Sequence, residues 1–175
     1  MSTLVVAEIK GDALKKVSKE LASAGRALGG SVAALIFNGT DDQCKELLAS
    51  GADIVLKASL SDYSPQGAAN IAAAVAKARG AQAVLLPHSI QGKDFAGRLA
   101  VKLGASLVAD AVGVKGAAGD LEVRKPVYSG KAYATVKVKG PAVVTVRPNA
   151  IEVTSYSGES KIEAVSEGEG TVSAR

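Results

Sequence analysis

Apolar residues fall into two alternating patterns over the first hundred positions. Short unbroken runs, Thr3 to Ala7, Val32 to Phe37, Asp53 to Leu56 and Ala83 to Leu86, read as strands buried on both faces. Between them, apolar residues recur at helical spacing. Leu14, Val17, Leu21 and Leu28 form one stripe, ended by Gly29-Gly30. A short helix carries Cys44, Leu47 and Leu48, with Asp41 as its cap. Ser64-Pro65 opens a third helix, with Ile71 and Val75 on one face and Gly80 at its end. Phe95, Leu99 and Leu103 mark a fourth, over Lys93 to Leu103. Four strands alternating with four helices predict right-handed β-α-β units and a parallel sheet.

The pattern changes at Leu107. No helical period runs from there to Arg147. Ala111 to Val114, Leu121 to Val127 and Ala142 to Val146 look extended, and Tyr133 to Val138 alternates polar with apolar residues. Ser129-Gly130 predicts a hairpin turn. The fold class expected is α/β, a three-layer open, mostly parallel sheet of the Rossmann-like or adenine-nucleotide-hydrolase-like kind. A β-rich antiparallel C-terminal extension of the same sheet follows. Residues 1–150 form the domain. Residues 151–175, rich in Ser, Gly and Glu, read as a flexible linker with one weak strand around Lys161 to Val165.

Composition narrows the function. Apolar residues are 47% of the 175 positions, while aromatics are 3% and tryptophan is absent, so Ala, Val, Leu and Ile build the core. No apolar run approaches the roughly 18 residues of a membrane span. Met1-Ser2-Thr3 runs straight into strand-like sequence, so no signal or transit segment is expected. Cys44 is the single cysteine, which excludes an internal disulfide and a multi-cysteine metal site. A cytoplasmic setting is expected, or the mitochondrial matrix in a eukaryote. The net charge is +4, but the basic residues are dispersed among acids, with no stripe and no interleaved aromatics. That argues against nucleic-acid binding.

Candidate chemistry is sparse. The loop after the first strand, Ala7-Glu8-Ile9-Lys10-Gly11-Asp12, carries no G-x-G-x-x-G, and Ser129-Gly130-Lys131-Ala132 lacks the rest of a Walker pattern. His88, the only histidine, stands at the exit of the fourth strand, where open α/β proteins hold ligands. Its adjacent Ser89 should point away from it, so a hydrolytic triad is disfavoured. A ring bonded to loop backbone is the structural alternative. Asp94 and Arg98 have the spacing of a helical ion pair, and Arg98 with Lys102 gives either a solvated face or a partner contact. Arg124, Lys125, Lys131, Lys137 and Lys139 decorate the hairpin, either as edge protection or as a docking surface.

Several blocks carry a resemblance. Leu85-Leu86-Pro87-His88-Ser89 with Gly92-Lys93, Gly97-Arg98-Leu99-Ala100 and Lys102-Leu103-Gly104 are one. Asp110 to Val114, Arg124 to Ala132, and Val143 to Pro148 follow in order. Together they resemble the alpha subunit of electron transfer flavoproteins over about Thr3 to Ala150. Gly97, where the family commonly has proline, and Lys131, in place of an asparagine, depart from it.

The resemblance implies a non-catalytic domain rather than an enzyme. Its intact heterodimer would carry electrons from flavin dehydrogenases to a quinone oxidoreductase or another acceptor. It implies FAD in a further domain, a beta subunit as partner, and AMP in that beta subunit. The FAD domain's Gly-Gly-Arg-Gly, Gln-Val-Gly-Gln-Thr-Gly and Ser-Gly-Ala-Ile-Gln-His segments do not occur here. The expectation is therefore an amino-terminal domain alone, with no catalytic, cofactor-binding or metal-binding residue. It would be an isolated piece, a proteolytic product or the partner of a separately encoded half. Arg124, Tyr128, Lys131 and Tyr133 are the candidate subunit interface. The competing reading is a free-standing adenine-nucleotide-binding protein of the universal-stress type.

Overall fold

A computed structural model describes residues 2–158 and 161–165. Strand β1 (Ser2–Ala7) is followed by a small hairpin, β2 (Ile9–Lys10) and β3 (Ala13–Leu14), and then by α1 (Lys16–Ala27). Next come β4 (Ser31–Phe37), α2 (Asp41–Ala49), β5 (Ile54–Ala58), α3 (Pro65–Ala78), β6 (Ala81–Pro87) and α4 (Ile90–Leu103). The second half holds β7 (Ser106–Ala111), β8 (Gly113–Ala117), β9 (Asp120–Val127), β10 (Ala132–Lys139), β11 (Ala142–Val146) and β12 (Lys161–Ala164). Seven strands form one parallel sheet in the order β12-β5-β4-β1-β6-β11-β7.

The sheet separates two cores, as a doubly covered sheet must. Leu4, Val6, Leu35, Val84 and Leu86 face α3 and α4. Val5, Ala34, Ile36, Leu85 and Val144 face α1 and α2 on the other side. The alanine-rich α3 fits this close packing, because Ala68, Ala69, Ala72 and Ala76 need little space between backbone and sheet.

The second half departs from expectation in one respect. It is β-rich and antiparallel, but β8, β9 and β10 form a separate three-stranded sheet rather than extending the first. Strands β7 and β11 lie side by side and parallel in the main sheet. Parallel neighbours require a crossover, usually a helix. Here the antiparallel meander supplies it. Leu121, Val123 and Val138 face inward onto the α1 side of the main sheet, joining Ala142, Val144 and Val146. Glu122, Arg124, Lys137 and Lys139 face out. The alternation seen along the sequence is thus a covering layer with one wet face.

Local ends also differ. Thr40, not Asp41, caps α2, through a reciprocal capping box with Gln43. Leu14 lies in β3 rather than on α1, although it packs in the same core. Helix α4 begins one turn earlier than its apolar stripe, because Ser89 accepts the Gly92 N–H at 2.9 Å. Within the predicted linker, Thr154 N–H donates to Ser23 Oγ and Tyr156 N–H to Ala49 O, so this part lies along α1 and α2. The weak strand exists as β12, parallel to β5. The rest of residues 151–175 lies largely outside the described residues.

Candidate functional site

The connections out of β1 and β6 run in opposite directions, through α1 to β4 and through α4 to β7. The crevice beyond their carboxyl ends is the switch point of the sheet, the usual ligand position in this architecture. A cavity of about 220 Å³ lies there, between the ends of β4, β1 and β6. Both phenylalanines of the chain, Phe37 and Phe95, line it, together with Tyr63. The loop before α3 forms its rim. That loop is pinned by Asn38, whose amide bonds both the N–H and the carbonyl of Leu60, and by Tyr63 Oη donating to Gln91 O.

Glu8 occupies the position where a phosphate would be expected. Its side chain is almost fully buried, with Lys15 Nζ at 2.7 Å from Oε2 and Ser89 Oγ donating to Oε1 at 2.5 Å. Ser89 is the N-cap of α4, whose amino end would otherwise favour a bound anion. Gly92 makes the approach possible, since a Cβ there would collide with the Pro87 carbonyl. The backbone of Glu8 is anchored as well, to Ser18 Oγ through both its N–H and its carbonyl. The chain's own carboxylate therefore stands at the helix terminus, and no cationic side chain lines the cavity.

His88 lies beside this crevice, in a separate cluster. Its Nδ1 bonds Thr145 Oγ1 at 2.8 Å, and its Nε2 lies 3.7 Å from Asp110 Oδ1. The Thr145 hydroxyl accepts the Asp110 N–H at 3.1 Å, leaving its own proton for Nδ1. The ring thus bonds a side chain, not the loop backbone that the sequence suggested. Burial pushes the imidazole below its ordinary value, outweighing the opposite pull of Asp110. Asp110 is itself held below the usual carboxylate range, first by the hydrogen bonds of Arg147. Ser89 makes its bonds to Glu8 and Gly92 and none to His88, so the pair offers no nucleophile and base.

The hairpin residues are brought together only in part. Arg124 stacks over the Tyr133 ring at 4.1 Å, on the outer face of the meander. Tyr128 and Lys131 lie in the turn between β9 and β10. Tyr128 is 81% exposed, so it does not pack on its own sheet. On α4, Asp94 and Arg98 make no ion pair, and both line a shallow surface groove with Lys102. No helix among the described residues is long and apolar enough to cross a membrane.

Comparison with known sequences places this geometry. Residues 3–170 match the family described as electron transfer flavoprotein domain. The chain belongs to that family. It is 32% identical over 166 residues to the electron transfer flavoprotein subunit alpha of Bacillus subtilis, covering 89% of this chain and 51% of that protein. It is 33% identical over 161 residues to the subunit alpha of Syntrophomonas wolfei, covering 89% and 51%, and 34% identical over 161 residues to that of Mycobacterium tuberculosis, covering 89% and 50%. The chain thus spans about half the length of the curated relatives it matches.

A flavoprotein family implies a flavin, and the switch-point cavity does not fit FAD. Its volume is below the roughly 300–1,000 Å³ of drug-sized ligand pockets. Glu8 also sets a carboxylate against Ser89 at the amino end of α4, the kind of terminus that favours a phosphate. No step of flavin chemistry is therefore assigned to these residues.

Sequence reasoning missed Glu8, Asp110, Thr145, Arg147 and Gln91 as site residues. One signal was present: the loop that lacks phosphate-binding glycines carries an acid at its second position, Glu8. Nothing local marks Asp110 or Thr145, whose roles arise from the pairing of β7 with β11.

Proposed function

We propose that this chain is the non-catalytic amino-terminal domain of an electron transfer flavoprotein alpha subunit. The intact heterodimer would pass electrons from flavin dehydrogenases to a quinone oxidoreductase or another acceptor. FAD would reside in a further domain that residues 151–175 lead towards, and AMP in the beta subunit. This domain's part is to form, with the beta subunit, the platform for the flavin domain. The family match supports the reading, and so does the half-length coverage.

The observation that carries the partner assignment is the exposed aromatic and cationic set on the meander. Tyr128, Tyr133 and Arg124 lie at one end of the β9–β10 hairpin, with Lys131 in its turn. Exposed tyrosine and arginine are the residue types that dominate interface energetics. The test is binding of this chain to its cognate beta subunit, for wild type, Tyr128→Ala and Tyr133→Ala. A loss of more than about 1 kcal/mol at unchanged melting temperature supports a docking role. Unchanged affinity in both variants removes the hairpin from the interface.

The universal-stress-type reading has the cavity in its favour and Glu8 against it. A nucleotide's phosphate would have to displace the Glu8–Ser89 hydrogen bond.

A further inference from the structure

We propose that the outer face of α4 docks an acidic amphipathic helix of a partner protein, with Ile90, Gly97 and Val101 beneath it and Lys93, Arg98 and Lys102 along its flanks. This surface is separate from the hairpin assigned to the beta subunit above. Helix α4 packs on one side of the main sheet, and the meander covers the other.

The first observation is an apolar line on the solvent side of the helix. The core uses the inner side of α4, where Phe95, Ala96, Leu99 and Ala100 are buried. Ile90 and Val101 nevertheless stand 79% and 83% exposed. Gly97 lies seven positions after Ile90 and four before Val101, so the three share one line along the helix. That line spans about three turns, roughly 16 Å. Each of the three weakens a helix that only meets water. Isoleucine and valine lose side-chain freedom there, and glycine loses the most backbone freedom on folding. A face built for solvent would carry alanine or charged residues at these places.

The second is shape. A Cβ added at Gly97 would meet no atom within 4 Å, and the backbone there is not in the left-handed region, so the domain itself has no need of glycine. The missing side chain instead gives a low floor to the groove that α4 forms beside Gln66 of α3. The distance between packed helices is set by the side chains at their contact, and a glycine there admits close approach.

The third is charge. Lys93, Arg98 and Lys102 border the groove, and none makes an ion pair or a side-chain hydrogen bond among the described residues. Asp94 is the one acid lining it among those residues, and it makes no ion pair either. Three unpaired cations against one acid complement a partner rich in Glu or Asp. A second copy of this face would set cations against cations. A lipid surface is too flat to enter the groove and reach Gly97.

The experiment is an amide NMR titration of the chain with an alanine-rich helical peptide of about 18 residues. The peptide carries two leucines three turns apart, with glutamates on both sides of them. A second peptide has lysine in place of every glutamate. The glutamate peptide should shift the amides of Lys93, Gly97, Arg98 and Val101 saturably, with a dissociation constant below about 1 mM. The lysine peptide should bind at least about ten-fold more weakly. Val101→Glu, and Lys93→Glu combined with Arg98→Glu, should each weaken the glutamate peptide by about ten-fold or more. Gly97→Leu should do the same by filling the groove, while the melting temperature holds or rises, because leucine favours the helix and has room there. No saturable shift with the glutamate peptide, equal affinity for the two peptides, shifts centred away from α4, or unchanged affinity in all the variants would each overturn the proposal. Binding to phosphatidylglycerol vesicles without binding to the peptide would overturn it as well, and would make this a lipid-facing surface.

Discussion

Arg147 holds both carboxylate oxygens of Asp110, Nε at 2.9 Å from Oδ1 and one terminal nitrogen at 2.7 Å from Oδ2. Asp110 sits at φ +65°, a left-handed conformation that non-glycine residues seldom adopt inside a strand. Its N–H meets Thr145 and its carboxylate faces His88, so one residue ties β6, β7 and β11 together at their carboxyl ends. Asp110→Ala should be destabilising. The backbone term alone is about 1 kcal/mol, since alanine tolerates this conformation less well than aspartate. Asp110→Gly should recover that part but not the bond to Arg147. Urea denaturation of both variants checks the order.

Stability should fall on mild acidification, through His88. Its folded-state value lies below the ordinary 6.5, with burial as the first cause. The folded state therefore binds fewer protons than the unfolded chain just below that value, and stability rises with pH there. The contribution is complete above about pH 6.5 and is lost as pH falls towards the lowered folded value. Asp110, lowered from 3.8 chiefly by Arg147, adds a second loss at more acidic pH, below 3.8. The melting temperature of wild type should bend downward below about pH 6.5. In His88→Gln that first bend should vanish while the more acidic one stays.

Ser89→Ala removes a helix cap and a partner of a buried carboxylate together. A lost cap costs about 1 kcal/mol, up to about 2 in proteins. Glu8 Oε1 would also lose its only hydrogen-bond donor from a side chain, so the loss should fall at the upper end. Thermal or chemical denaturation measures it. A cost under about 0.5 kcal/mol would mean that the Glu8–Ser89 contact is not maintained in solution.

Leu121→Ala tests whether the meander is packed as a layer. Leu121 is fully buried between β9 and the main sheet, and its truncation should cost about 2–5 kcal/mol. Tyr128→Ala, at the exposed turn of the same meander, should stay within about 0.5 kcal/mol. Similar losses for both would contradict the two-faced packing.

A purified preparation of the chain should be colourless. The cavity is too small for FAD and is lined by a carboxylate rather than a cation. The check is an absorption spectrum after gel filtration, and a retained flavin band would contradict the fit.

The parallel half was legible because each of its strands is an unbroken apolar run and each helix carries its own punctuation. Ser64-Pro65 starts α3, and Gly29 and Gly80, both at positive φ, end α1 and α3. The second half was legible as β and as alternating, since Leu121, Val123 and Val138 face inward and their neighbours outward. Which sheet those strands join could not be read, because alternation reports one buried face and not what buries it. The hairpin β2–β3 was hidden because Leu14 keeps a helical interval to Val17 and Leu21. The switch-point crevice was legible from strand order. Glu8 and the cluster of His88, Asp110, Thr145 and Arg147 were not, since each depends on contacts across 35 or more positions of sequence.

The last described strand has a bearing on self-association. Without β12, strand β5 would end the sheet, presenting the hydrogen-bonding edge of Ile54, Val55 and Leu56 to any second chain. A bare parallel edge of apolar residues is a template for uncontrolled strand addition. β12 covers it with a strand that carries Lys161 and Glu163, and Glu163 is fastened to Arg79 across the fold at 2.7 Å. A chain shortened to residue 158 would keep its cores and its cavity while gaining a sticky border. The tail segment thus works as a selvedge, finishing the sheet where it would otherwise go on recruiting strands.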